Sequence, residues 1–265
     1  MTETERNLVE YACQDHIAII TLNRPEKLNA FSDDMVAALA AALRQFDIDN
    51  DAFVAIIHGT GRAFSTGADV RQRQLRRREE FEKHGGPQGW GTHAGDLLTR
   101  AVNWKPVIAA AHGYVMGLAL GIVLECDLIV AAAGTQFQVT ETPRGLGGAK
   151  YWALLNFRGA AAFGTEMALT GRFFTAEEAL ENRVINRVAP EAQHVQVALE
   201  LAEAVARNPP LSVRATIRSR RWYMELLERE VAMQTAPLKL YLSEDFGEAA
   251  RAFVEKRKPG PFKGR

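Results

Sequence analysis

The sequence is poor in cross-linking chemistry. Among 265 residues only Cys13 and Cys126 are cysteines, in unlike contexts and without CxxC spacing. A disulfide framework and a thiolate metal cage are both disfavoured, and a reduced, cytoplasmic setting is the simpler expectation. Charge of one sign is lacking too: 32 Lys and Arg balance 32 Asp and Glu, so neither nucleic acid nor an anionic membrane is an expected partner. The six histidines are scattered, with no HxxxH pair and no Cys/His cluster, and no bound metal is expected. GxSxG, Walker A and GxGxxG motifs do not occur. The most apolar stretch, 107–134, holds an unbroken run only over 113–124, short of the roughly 20 residues that span a bilayer. The polar, acidic start MTETERNLVE does not read as a signal peptide.

What is present suits a large globular core. Apolar residues make up 47% of the chain, and a chain of this length buries roughly three quarters of its unfolded surface, so no staple is needed. HIAIITLN at 16–23 reads as a short β-branched strand closed by Arg24-Pro25. Ser32 followed by Asp33 and Asp34 marks a helix start, and Met35, Leu39, Leu43 and Phe46 continue it at helical spacing. VAIIH at 54–58, the stretch 106–111 and LIVAA at 128–132 read as buried strands, with a helix of about two to three turns before the last. Strands alternating with helices predict an α/β fold with crossover connections.

Residues 71–100 break that rhythm. A cluster of arginines (71, 73, 76, 77, 78) meets Glu79, Glu80 and Glu82, then a glycine-rich stretch, and reads as a charged helix leading into a mobile loop. TAEE at 175–178 has the capping-box pattern and opens a helix. Residues 184–188 read as a short strand. From Glu191 onward only helical patterns remain, so the chain divides into an α/β core over 1–190 and a helical region over 191–265.

Chemistry is expected at two glycine-rich junctions that follow strands: AFSTGADV at 63–70 and HGYVMGLALG at 112–121. Backbone N–H groups at such turns can face an anion, and two that converge from different turns make an oxyanion hole. Either junction alone is more commonly a tight turn.

In order and spacing the two junctions, with ITLNRPEKLNA at 20–30, KPVIAAAHGY at 105–114, FQVTE at 137–141, ALTGR at 168–172 and AFVEKRK at 252–258, resemble the enoyl-CoA hydratase/isomerase (crotonase) superfamily over nearly the whole chain. The resemblance implies a crotonase-like spiral of ββα units with a C-terminal helical trimerisation region, and a homotrimer or dimer of trimers. It implies an acyl-CoA substrate and no cofactor beyond the coenzyme A of the thioester. The N–H groups of Ala68 and Leu118 would hold the thioester oxygen, and Glu141 would be the acid/base. Lys27, Ala68, Asp69, Val70, Arg71, Phe253 and Lys256 would hold coenzyme A.

One departure from the family pattern matters. Hydratases of the family use a second glutamate four residues after the helix-start glycine, and that position here is Gly121. A single carboxylate still suffices to move a proton between C2 and C4, so isomerase-like transfer is preferred. The alternatives are a hydratase or lyase with a replaced second acid, a decarboxylase or hydrolase on the same scaffold, and a non-catalytic acyl-CoA-binding trimeric module. Glu125, one helical turn past Gly121, is expected to have a structural ion-pair or helix-end role. Glu79, Glu80, His84, His93 and Asp96 are candidates to reach the pocket from the inserted segment. Arg144 is a candidate to lower the Glu141 pKa, His112 is expected to be a satisfied core histidine, and Trp90 and Trp152 are candidate pocket walls.

Overall fold

The computed structural model of the chain describes residues 7–86, 98, 101–102 and 104–265. Strands β1 (Val9–Gln14), β2 (Ile17–Leu22), β3 (Val54–Gly59) and β4 (Val107–Ala111) are followed by β5 (Tyr114–Met116), β6 (Leu128–Ala132), β7 (Gln136–Gln138), β8 (Phe173–Thr175) and β9 (Arg187–Ala189). Six of these form one sheet in the order β1-β2-β3-β4-β6-β9, and β5-β7-β8 form a smaller second sheet. Only β1 runs antiparallel to its neighbour in the large sheet.

The spiral follows from this split. β4 lies in the large sheet, β5 in the small one, and helix Leu118–Glu125 returns the chain to the edge where β6 begins. β6 and β7 repeat the step. Before them, β3 leads into a segment whose Ser65 bridges Val115 of β5, an abbreviated version of the same second strand. Each turn therefore leaves one strand end and one helix start stacked on the turn before.

The helices of the described chain are α1 (Asp33–Ile48), α2 (Val70–Arg73), α3 (Arg78–His84), α4 (Leu118–Glu125), α5 (Ala149–Phe157), α6 (Ala161–Thr170), α7 (Ala176–Glu181), α8 (His194–Ala206), α9 (Pro210–Thr235) and α10 (Glu244–Val254). Ser32 caps α1 by accepting the Met35 N–H at 3.2 Å, and Thr175 with Glu178 closes the capping box of α7. Among the described residues, no helix is long and apolar enough to cross a membrane.

Both faces of the large sheet are covered. Ile20, Leu22, Ile57 and Ala109 face the main core with α1 and α4. Ile17, Ile56, Ile108 and Val130 face a second core closed by Ala198 and Ala202 of α8. That explains why these strands read as unbroken apolar runs rather than alternating ones. Within the helical region over 191–265, α8 packs directly on this face of the sheet.

Two expectations are corrected. The strand expected at 184–188 is Arg187–Ala189, since Val184 and Ile185 are buried in the turn after α7. The single charged helix expected after residue 70 is two short ones, α2 and α3, with residues 74–77 between them.

α9 is fastened to the sheet by a buried acid. Asp127 accepts from the Val107 N–H at 2.8 Å, from Arg221 at 2.6 Å and from Arg220 at 3.0 Å. Arg221, buried, also donates to the carbonyls of Val102 and Lys105. Removing one partner of a buried pair leaves the other charge uncompensated, at about 3–5 kcal/mol. Asp127→Ala is therefore expected to lose stability by about that amount in urea unfolding. A midpoint equal to wild type would contradict this account.

Candidate active site

Two turns meet at the end of β3 and the start of α4. Beyond β3, Phe64 donates its N–H to His112 O at 2.8 Å and Ser65 to Tyr114 O at 3.1 Å, laying this segment along β5. Gly67 then adopts φ +85°, and a Cβ there would lie 2.4 Å from Met116 O and 3.4 Å from Leu118 N. Only a residue without a side chain lets the two backbones come this close. Gly117 has φ 51° and precedes the first residue of α4. A Cβ on it would lie 2.3 Å from Thr140 Oγ1 and 3.0 Å from Glu141 Oε1.

This packing leaves two donors free. Phe31 N–H donates to Gly67 O at 2.8 Å and Asp69 N–H to Phe31 O at 2.9 Å. Ala68 lies between these bonds, so its own N–H faces away from Phe31. Leu118 is the first residue of α4 and has no intrahelical acceptor. Neither N–H finds an acceptor among the described residues.

Glu141 is brought to the same place by β7, which runs parallel to β5. Gly117 N–H donates to Gln138 O at 3.0 Å, locking the end of β7 to the start of α4. Three residues later Glu141 opens a turn, accepting at its carbonyl the N–H groups of Arg144 and Leu146. Its carboxylate takes a 2.6 Å hydrogen bond from Tyr151 Oη on Oε1 and a longer one from Thr140 Oγ1 on Oε2. Burial raises its pKa above the ordinary carboxylate value, outweighing the lowering by Tyr151, Thr140 and the Arg144 charge.

Arg144 does not ion-pair with Glu141. Its guanidinium reaches Gln74 Oε1 at 3.3 Å and stacks 3.6 Å over the Phe253 ring. It thereby ties the Glu141 turn to the end of α2 and to α10. Phe253 is 53% exposed.

Lys27 is exposed in the loop whose Leu28 carbonyl accepts from Thr66. Asp69 caps α2 and pairs with buried Arg24 at 3.1 Å, so its side chain is occupied and its backbone is what it can offer. Val70 is half-buried, and Arg71 and Lys256 are exposed.

Glu125 is fully buried and pairs with Lys150 at 2.7 Å, as expected of a structural ion pair. Lys150 also reaches Glu228 of α9 at 3.2 Å. His112 departs from expectation. Nε2 meets Gly61 O at 3.0 Å, but the buried Nδ1 has no partner and the ring lies 4.7 Å from that of His194. Trp152 is 37% exposed, with Nε1 on Thr165 Oγ1. Glu80 pairs with Arg77 on the surface and Glu79 is exposed. His93, Asp96 and Trp90 lie outside the described residues.

Sequence reading missed Tyr151. The hint was available in the apolar-aromatic run AKYWALLNF, but nothing in the spacing says that its hydroxyl meets Glu141. A Cβ on Gly121 would lie 3.6 Å from Tyr151 Cε1 and 3.7 Å from its Oη. The space where a second carboxylate would stand is therefore faced by a phenol.

Free N–H donors beside a carboxylate of raised pKa make a site that can stabilise an oxyanion and exchange a proton next to it. Comparison with known proteins agrees in kind. The enoyl-CoA hydratase/isomerase family model matches residues 12–265. A mevalonyl-coenzyme A hydratase of Aspergillus fumigatus is 35% identical over 254 residues, covering 92% of this chain and 90% of the relative. A 2,3-dehydroadipyl-CoA hydratase of Escherichia coli is 30% identical over 256 residues, covering 95% and 97%. The crystal structure of a carnitinyl-CoA hydratase from Mycobacterium avium superposes with a TM-score of 0.77 at 30% identity, covering 98% of this chain and 100% of that one. A whole-chain family match on a spiral ββα fold leaves one assignment: the chain belongs to the enoyl-CoA hydratase/isomerase family.

Proposed function

We propose that this enzyme transfers a proton next to the carbonyl of an acyl-CoA thioester, with Glu141 as its one carboxylate acid/base. The thioester oxygen sits between the N–H groups of Ala68 and Leu118. As a proton leaves C2, negative charge moves onto that oxygen, and each preplaced donor is worth about 3–4 kcal/mol to the transition state. The start of α4 adds its dipole. Glu141 then returns the proton at C4, so a 3-enoyl thioester becomes a 2-enoyl thioester of the same mass. The observation that carries this reading is that, among the described residues, Glu141 is the carboxylate standing against the Gly117 turn, while position 121 has no side chain.

A second reading is addition of water to a 2-enoyl-CoA, favoured by the hydratase names of the relatives at 30–35% identity. In both readings Lys27, the 68–71 backbone with Arg71, Phe253 and Lys256 hold coenzyme A, cations taking the phosphates. Assembly as a homotrimer or dimer of trimers is part of the proposal. Exposed Trp222, Tyr223, Leu226 and Met233 on α9 supply an apolar surface for it. So is a cytoplasmic location, resting on the free cysteines.

The test is a panel of 2-enoyl- and 3-enoyl-CoA thioesters of varied chain length, followed by mass and absorbance. Isomerisation leaves the mass unchanged, and hydration adds one water. Tight binding with no turnover of any thioester would overturn both. Glu141→Gln is expected to lose about 10²–10⁴-fold in kcat. Retention of wild-type activity would remove Glu141 from the role of base.

The same variant has a stability signature. A carboxyl whose folded pKa lies above its unfolded value ionises less readily when folded, so the wild type loses stability as pH rises from the unfolded pKa to the folded one. Glutamine carries no such penalty. The Tm of Glu141→Gln relative to wild type is expected to increase from pH 4 to pH 7. A constant difference across that range would count against the raised pKa.

A further inference from the structure

We propose that Tyr151 is the positioning residue that takes over the place of the missing second carboxylate, holding Glu141 by Oε1 so that Oε2 is the oxygen that exchanges protons with substrate. This deepens the proposed function and rests on Glu141 being its base.

Three observations converge on it. Tyr151 Oη donates to Glu141 Oε1 at 2.6 Å, whereas Oε2 takes a longer 3.4 Å bond from Thr140 Oγ1, so Oε1 is the more firmly held oxygen. The ring stands 3.6–3.9 Å from the Cβ position of Gly121, ordinary van der Waals distance. A methyl at 121 would fit, whereas a longer side chain there would have to pass the phenol to reach Glu141. Finally, the ring is 5% exposed on α5, so its hydroxyl has little freedom to turn elsewhere.

The chemistry of a phenol here differs from that of a carboxylate. Burial and the facing charges of Glu141 and Glu125 raise the Tyr151 pKa well above 10. Tyr151 therefore stays protonated at neutral pH and can donate a hydrogen bond but not act as a base. Two carboxylates at one site would repel and push one pKa upward. The phenol instead stabilises the ionised Glu141. Proton traffic is left to one oxygen of one residue.

The charged groups around the pair come from the Glu141 turn and three helices. Arg144 is on the turn of Glu141 itself and lowers its pKa weakly. Glu125 on α4 faces Tyr151 and is neutralised by Lys150 on α5. Lys150 is shared with Glu228 on α9. A change at Tyr151 leaves all of these in place.

The experiment titrates Glu141 directly in the full-length protein without substrate. Its carboxylic C=O infrared band disappears on ionisation and is assigned by its absence from Glu141→Gln. In Tyr151→Phe the titration midpoint is expected to rise by about one pH unit, because a donor to the charged form is lost. The acid limb of kcat/KM for the thioester turned over in the panel should rise with it, and kcat should fall about tenfold or more. A purely packing role would lower activity while leaving the midpoint and the limb unmoved, and that result overturns the proposal. Replacing Tyr151 with 3-fluorotyrosine keeps the ring and makes the phenol a stronger donor, so the midpoint should fall. This second variant decides the matter if Tyr151→Phe does not fold, and an unchanged midpoint in it is equally fatal. Failure of the proposed function itself has a different signature: Glu141→Gln stays active whatever Tyr151 does.

Discussion

The site depends on backbone meeting backbone at Gly67 and Gly117. A Cβ at Gly67 would lie 2.4 Å from Met116 O, and one at Gly117 would lie 2.3 Å from Thr140 Oγ1. These two absences of side chain let three successive turns of the spiral stack without a spacer. Ala68, Leu118 and Glu141 each belong to a different turn, and none is near another in sequence. The parallel bridges Phe31–Ala68 and Ser65–Val115 and the Gly117–Gln138 hydrogen bond are the ties that register the turns. The proposed oxyanion donors, the N–H groups of Ala68 and Leu118, are thus positioned by the fold itself. A site built from main-chain N–H groups needs no reorganisation when charge develops, which is the source of its catalytic value.

The same stacking desolvates Glu141. Burial raises its pKa, and in the ionised state that is a cost to folding rather than a gain. Tyr151 and Thr140 recover part of it by donating hydrogen bonds to the carboxylate. The buried Glu125–Lys150 pair, one helical turn beyond Gly121, needs no such mobility and is satisfied on all sides: Leu98 N–H donates to Glu125 Oε2 while Lys150 holds Oε1. Two glutamates near the same two helices therefore have opposite characters. One is neutralised by a cation and structural. The other takes its side-chain hydrogen bonds from two neutral hydroxyls, and burial raises its pKa.

Much of this was legible in sequence, for identifiable reasons. Strands buried on both faces leave continuous runs such as VAIIH, and helix starts leave capping oxygens, so β2, β3, β4 and β6 are found at nearly their true limits and α1 and α7 at their starts. β1 was missed because its residues alternate between half-buried and exposed, as edge strands do, and carry Glu10 and Gln14. It is joined to β2 through Asp15 and His16, both at positive φ, a turn with no glycine to announce it. Val184 and Ile185 misled because β-branched burial in a turn looks like burial in a strand. At the site, glycines and a carboxylate following a strand are visible in the chain order. Tyr151 is not, because its relevance comes only from α5 packing on α4, and no periodicity encodes which hydroxyl faces which gap.

That gap sharpens the meaning of Gly121. As a letter in a sequence it marks a lost acid and suggests a weakened enzyme. In the folded chain its neighbour is a buried phenol at van der Waals distance, hydrogen-bonded to the remaining carboxylate. An empty position would have left Glu141 either to water or to an unsatisfied lone pair, both poor ways to hold a base. A phenol supplies one directed donor, adds no charge, and cannot itself take a proton at neutral pH. The pair therefore has the electrostatics of a single carboxylate and the geometric constraint of two groups. On physical grounds it suits chemistry in which one proton leaves and returns through the same oxygen more than chemistry that needs two bases at once.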